Sequence, residues 1–166
     1  MPQMPFTDVL AANLSYAASF QAGALTGQAG KRLAVLTCID TRIDPLGMLG
    51  LKRGDAKILR NAGARVTDDV LRTLVLASYL LNVNRAMVIA HTDCRMVGGT
   101  DDDVHEAIRE KGGPDTRSLV FAVTADVEET LRQDVQRIRS SPYLAGIEVG
   151  GFLYDVRTGR ITPQAA

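Results

Sequence analysis

The hydrophobic pattern of this 166-residue chain switches period repeatedly, and that switching constrains its fold more than any single residue. Leu33–Cys38 and residues 86–90 are continuous apolar runs of strand length, the pattern of strands buried on both faces of a parallel sheet. Residues 56–59 and 119–123 read as two further strands. Between these runs the period becomes helical. Residues 6–20 form a helix with Thr7 as its cap and Leu10, Leu14 and Ala17 on one face. Residues 68–81 form a second, opened by acidic residues, with Val70, Leu71, Leu74, Val75 and Leu81 apolar. A third starts at Thr100 and runs to about Lys111, where Gly112-Gly113-Pro114 stops it. The fourth spans 126–139, with Val127, Leu131, Val135 and Ile138 in line. The tail, residues 147–161, alternates around Gly159 and reads as an antiparallel pair at a sheet edge. Strands alternating with helices predict an α/β fold. One domain spans residues 1–166, with a central, mainly parallel sheet flanked by helices and an antiparallel edge hairpin at the C-terminus. The length suits a single core, and no repeat, low-complexity segment or linker divides it.

Composition excludes several partners. Lysine plus arginine (19) equals aspartate plus glutamate (19), and only 5% of residues are aromatic. There is no basic excess to hold a phosphate backbone and no stacking platform, so nucleic acid is not an expected partner. No apolar run approaches the ~20 residues needed to span a bilayer. The N-terminus lacks the charge and apolar core of a signal peptide, so the expected location is the cytoplasm, where disulfides rarely persist.

The chemistry collects at strand ends, where open parallel sheets bind ligands. One buried strand ends Cys38-Ile-Asp40-Thr-Arg42, and another ends His91-Thr-Asp-Cys94. In an extended chain Cys38, Asp40 and Arg42 point to the same side. Taken singly, Cys38 is an apolar core cysteine, and Asp40 with Arg42 a surface ion pair. Taken with His91 and Cys94, which a turn places on one side, the set offers zinc two thiolates and one imidazole with a fourth position open. A Cys38–Cys94 disulfide is the alternative, but it leaves His91 without a role. The remaining histidine, His105, reads as a solvated helix residue. Gly98-Gly99 before a helix would suit phosphate, yet no phosphate-binding glycine signature follows a strand, and three aspartates open that helix.

Cys38-x-Asp40-x-Arg42, Arg60-Asn61-Ala62-Gly63-Ala64 and His91-x-x-Cys94 together resemble the signature of the β-class carbonic anhydrases, in the order and approximate spacing of that family. The likeness extends over most of the chain and fits the compact bacterial and archaeal branch. It implies one Zn²⁺ per chain held by Cys38, His91 and Cys94, with Asp40 and Arg42 forming a catalytic dyad beside it. It also implies an assembly, a homodimer or a dimer of dimers, in which the N-terminal helix, about residues 6–21, packs on a partner subunit. Where the family carries glycine after its second cysteine ligand, this chain has Arg95; a positive φ there would strain an arginine. Gln21 and Gln28 are candidates for a bicarbonate-contacting glutamine.

The implied reaction is reversible hydration of carbon dioxide to bicarbonate by a zinc-bound hydroxide. Two thiolates neutralise the ion, so activity is expected to favour alkaline conditions. Paired with Arg42, Asp40 orients the nucleophile; released, it takes the fourth zinc position and closes the site. The same zinc site would serve a carbonyl sulfide or carbon disulfide hydrolase. A catalytically silent zinc-binding relative, with Arg95 blocking access, is the non-enzymatic alternative.

Overall fold

A computed structural model describes residues 5–164. Helix α1 is Thr7–Ala18, followed by β1 (Leu33–Cys38), β2 (Ala56–Asn61) and α2 (Asp68–Leu80). Next come β3 (Arg85–His91), α3 (Asp101–Glu110), α4 (Val127–Arg139), β4 (Glu148–Tyr154) and β5 (Ile161–Gln164), with short 3₁₀ turns at Gly47–Leu49 and Ala62–Ala64. The five strands form one sheet in the order β2-β1-β3-β4-β5. All pairings are parallel except β4 with β5. This is the mainly parallel sheet with an antiparallel edge that the periodicity predicts.

Local chemistry fixes the helix starts. Thr67 caps α2 by accepting from the Val70 N–H, ahead of Asp68 and Asp69 in the first turn. Thr100 and Asp103 form a reciprocal capping box on α3. The Asp126 carboxylate accepts from the Glu128 and Glu129 N–H groups to start α4. The strands are held by packing instead. Every residue of β1 is buried, as its unbroken apolar run requires. Leu36, Val88 and Ala90 pack with Val70, Leu74 and Ala77 of α2 and Leu131, Val135 and Ile138 of α4 in one core cluster. A second cluster joins Leu33, Val35 and Ile89 to Tyr154 and to Ile43, Met48 and Leu49 of the segment after β1. That segment, rather than a long helix, covers the second group of strand side chains.

Two expectations change. Residues 119–123 are not a strand: Leu119 and Val120 are exposed, and only an isolated parallel bridge from Val97 to Thr124 remains. The physical cause is that their N–H groups have another partner. The Asp101 carboxylate accepts from Phe121 (2.8 Å), Ala122 (3.3 Å) and Val123 (2.9 Å), and Ala122 adopts φ 59, which no ladder tolerates. Second, α1 begins at Thr7 itself, with Phe6 in the cap position. Helix α1 buries none of its residues in this chain, and Leu10 and Leu14 are exposed.

Candidate metal centre

Cys38 closes β1 and His91 closes β3, and these neighbouring parallel strands deliver both side chains to the carboxyl edge of the sheet. Cys94 follows from the turn after β3. The ligand atoms of Cys38, His91 and Cys94 lie within 4.8 Å of one another, the only such group among the described residues.

Each donor is prepared for a cation. His91 is 2% exposed, and its Nδ1 lies 2.9 Å from the Thr92 carbonyl. A proton on Nδ1 donates to that oxygen and leaves Nε2 with its lone pair, the arrangement typical of metal-bound histidine. Among the described residues, His91 Nε2 is the one buried side-chain nitrogen or oxygen without a hydrogen-bond partner. An orphaned buried acceptor costs free energy, and an ion placed between it and two sulfurs removes that cost. The hydrogen bond from Cys94 holds the Cys38 sulfur well below the ordinary thiol range, outweighing burial, with the Gly63 and Asp40 N–H groups adding to it. The same contact, followed by burial, pushes the Cys94 thiol up. A dication binds thiolates, so its binding is coupled to loss of thiol protons. Two sulfurs and one imidazole nitrogen, with no fourth side chain in the group, fit zinc with an open position.

Asp40 and Arg42 meet beside this cluster, but through a turn and not by extended alternation. The Ile43 N–H donates to the Asp40 carbonyl (3.1 Å), and the Arg42 N–H donates to Asp40 Oδ1 (2.9 Å). Arg42 then grips the carboxylate with two arms, Nε to Oδ1 at 2.9 Å and Nη2 to Oδ2 at 2.7 Å. The Arg42 side chain, and then its backbone N–H, hold the Asp40 carboxyl far below the usual carboxylate range. Arg42 thus engages both Asp40 oxygens.

The Arg60–Ala64 segment, whose motif carried a resemblance but no role in the sequence, holds this end of β1. Arg60 donates from Nε to the Cys38 carbonyl (2.9 Å) and from Nη2 to the Asp40 carbonyl (2.7 Å). Asn61 bonds both the N–H and the carbonyl of Arg65, closing the turn that aims the Gly63 N–H at Cys38 Sγ, 3.4 Å away. Gly63 has φ 78, and a Cβ there would lie 3.3 Å from the Met96 Cβ, so both backbone and space disfavour any side chain. Two further features escaped sequence reasoning. Arg65 pairs with the buried Asp134 (2.7 Å) and donates to the Ala122 carbonyl (2.8 Å). Asp93 accepts from Arg42. Its position between His91 and Cys94 was the available signal.

Other candidates resolve plainly. Arg95 is exposed and is not among the residues with positive φ; the left-handed position of the turn falls on Asp93, at φ 56, so Arg95 carries no strain. His105 is half-buried, with Nδ1 2.9 Å from Thr116 Oγ1 and its ring 5.2 Å from that of Phe121, so it is not the solvated residue expected. Gln28 donates to the Leu80 carbonyl and the Gln21 carbonyl accepts from Arg53, partners away from the metal cluster. The start of α3 is occupied by its own Asp103 and offers phosphate no cradle.

Comparison with known proteins agrees with this geometry. The carbonic anhydrase family model matches residues 33–120, which include all three ligand positions and the dyad. The chain is 38% identical over 157 residues to beta-carbonic anhydrase 1 of Mycobacterium tuberculosis, covering 93% of this chain and 94% of that one. A carbon disulfide hydrolase of Acidithiobacillus thiooxidans is 30% identical over 154 residues, covering 80% and 77%. The crystal structure of a carbonic anhydrase from Streptococcus mutans superposes with a TM-score of 0.91 at 35% identity, covering 99% of this chain and all of that one. With signature, sheet and donor set in agreement, the chain belongs to the β-carbonic anhydrase family.

Proposed function

We propose that the protein catalyses reversible hydration of carbon dioxide to bicarbonate at a zinc ion held by Cys38, His91 and Cys94. The observation that carries this reading is the unpartnered, buried His91 Nε2 facing two thiols, beside a carboxylate tied away by its arginine. Zinc, when bound, supplies the Lewis acidity that makes water nucleophilic at mild pH. Cys38 and Cys94 bring two negative charges to the dication, so that acidity is moderated and turnover favours alkaline conditions. Asp40 accepts a hydrogen bond from the attacking water and orients it towards the substrate carbon. Arg42 keeps both Asp40 oxygens engaged, and so keeps the carboxylate from acting as a fourth ligand.

The 38% identity to a carbonic anhydrase over 93% of this chain, against 30% to a carbon disulfide hydrolase over 80% of it, favours carbon dioxide over sulfur substrates. Arg95, exposed and unstrained, gives no support to a silent site. A homodimer, alone or doubled, is the proposed assembly, and α1 is the segment that packs on the partner: Phe6, Val9, Leu10 and Leu14 are all more than half exposed on this chain. A reducing cytoplasm fits a site that needs both sulfurs as thiolates. The whole described chain acts as one domain.

The test is stopped-flow hydration of carbon dioxide by metal-quantified protein near neutral and at alkaline pH, with carbonyl sulfide and carbon disulfide assayed on the same sample. Expected are one zinc per chain, turnover that rises with pH, and a drop of about 100-fold in Asp40→Ala with zinc retained, the scale of a positioned proton acceptor. Sulfur-substrate turnover without hydration would move the assignment to the hydrolases. Bound zinc with neither activity refutes it.

A further inference from the structure

Arg42 has a second holder. While one edge of the guanidinium grips Asp40, Nη1 donates to Asp93 Oδ2 at 2.7 Å and Nη2 donates to the Asp93 main-chain carbonyl at 3.0 Å. Asp93 lies between two members of the metal group, and its φ of 56 turns this stretch of backbone. The carbonyl that Arg42 contacts belongs to the peptide bond leading into Cys94. The guanidinium therefore ties the Asp40 turn after β1 to the Cys94 turn after β3 through four side-chain bonds at 2.7–3.0 Å. An exposed aspartate–arginine pair alone stabilises little. A planar fork fixed along two edges is different, because its orientation is set by geometry and not by attraction alone.

We propose that Asp93 is a positioning residue for the Asp40–Arg42 pair: it fixes the guanidinium so that Asp40 stays turned away from the metal's fourth position. Asp93 does not touch substrate or the reacting atoms. Losing its side chain removes the Nη1 bond and leaves only the main-chain carbonyl on that side, so Arg42 is freer to swing with the carboxylate it carries, and Asp40 then competes for the fourth position. The inference rests on the proposed zinc site and adds to it a residue that sets how open that site is.

The experiment uses the full-length protein loaded with cobalt(II) and titrated with azide, an anion that needs the fourth position, read by visible absorption. Two variants are compared, Asp93→Asn and Asp93→Gly. Asparagine tolerates left-handed backbone and keeps an acceptor without its charge; glycine fits φ 56 and removes the acceptor. Asp69→Asn, which loses another exposed carboxylate, one paired with Arg72, controls for net charge. Expected is an azide Kd at least fivefold higher in Asp93→Gly, a smaller rise in Asp93→Asn, and no change in Asp69→Asn. Zinc affinity in competition with a chromophoric chelator stays undiminished in Asp93→Gly, since all three ligands remain. Azide affinity within twofold of the parent in both Asp93 variants, with the parent itself loading and binding azide, overturns the inference and leaves the proposed function standing. Failure of the parent to take up cobalt or zinc overturns the functional reading and this inference with it.

Discussion

Substituting Gly63 by alanine tests the claim that this turn is shaped around the metal cluster. Its backbone sits at φ 78, and its N–H donates to Cys38 Sγ. An L-residue in the left-handed region costs roughly 1–2 kcal/mol, offset by about 0.4–1 kcal/mol because alanine narrows the unfolded ensemble. Gly98 provides the matched reference. Its φ is 87, and a Cβ there meets nothing within 4 Å, so Gly98→Ala carries the backbone cost alone. At Gly63 the new Cβ arrives 3.3 Å from the Met96 Cβ, an atom fixed to the main chain that no rotamer change can move. Relief must shift the Cys94–Met96 backbone or the Cys38-facing turn, at an added cost of roughly 1–3 kcal/mol. With about 2–4 °C lost per kcal/mol in a domain of this size, Gly63→Ala should melt roughly 3–10 °C below Gly98→Ala. Circular-dichroism melting of metal-free, reduced protein measures this. Because the strain lands on two ligand-bearing segments, zinc affinity should also fall by about 10-fold or more in Gly63→Ala and stay near that of the parent in Gly98→Ala, read by chelator competition. Equal melting temperatures and equal affinities for the two variants would refute the argument that the turn is fitted to the site.

Two further outcomes follow from charges away from the metal. Asp134→Leu leaves Arg65 without the partner it contacts at 2.7 Å and should cost about 3–5 kcal/mol, whereas Arg65→Met combined with Asp134→Leu should recover most of that loss in urea unfolding; additive losses would argue against a coupled pair. The N–H of Val123, ahead of the opposing effect of desolvation, and those of Phe121 and Ala122 lower the Asp101 carboxyl in the folded state. A depressed folded pKa stabilises above the ordinary carboxylate value and is lost as pH falls through the folded one. Asp101→Asn should therefore lose stability at neutral pH and show a shallower decline between about pH 5 and pH 2, which melting at stepped pH resolves; an unchanged acid slope would refute the assignment.

What the sequence made legible and what it did not differ in physical kind. Buried strands and capped helices announce themselves because burial dictates residue type along a contiguous run. Leu33–Cys38 is apolar throughout because β1 is covered on both sides, and Thr100 with Asp103 encodes a helix start within four residues. The Cys38–His91–Cys94 cluster was legible for a related reason: cysteine and histidine are scarce here, and three of the four fell at strand ends. The 119–123 segment misled because its apolar residues mimic a strand, while the group that captures its N–H donors, Asp101, lies about twenty residues away and in sequence is only one of three aspartates opening a helix. Arg60 was visible as a motif, yet nothing local reveals that its guanidinium bonds the carbonyls of Cys38 and Asp40 across the sheet edge. The hidden part is consistently that of side chains satisfying main-chain groups at long sequence separation. Such partners leave no periodicity, and a charged residue in a loop has the same composition whether it faces water or anchors a turn. At this site such bonds shape the turn beside the metal cluster. Cys38, His91 and Cys94 offer the donors for an ion, and in the proposed reading the grip of Arg42 and Asp93 on the Asp40 turn is what keeps a position on that ion open.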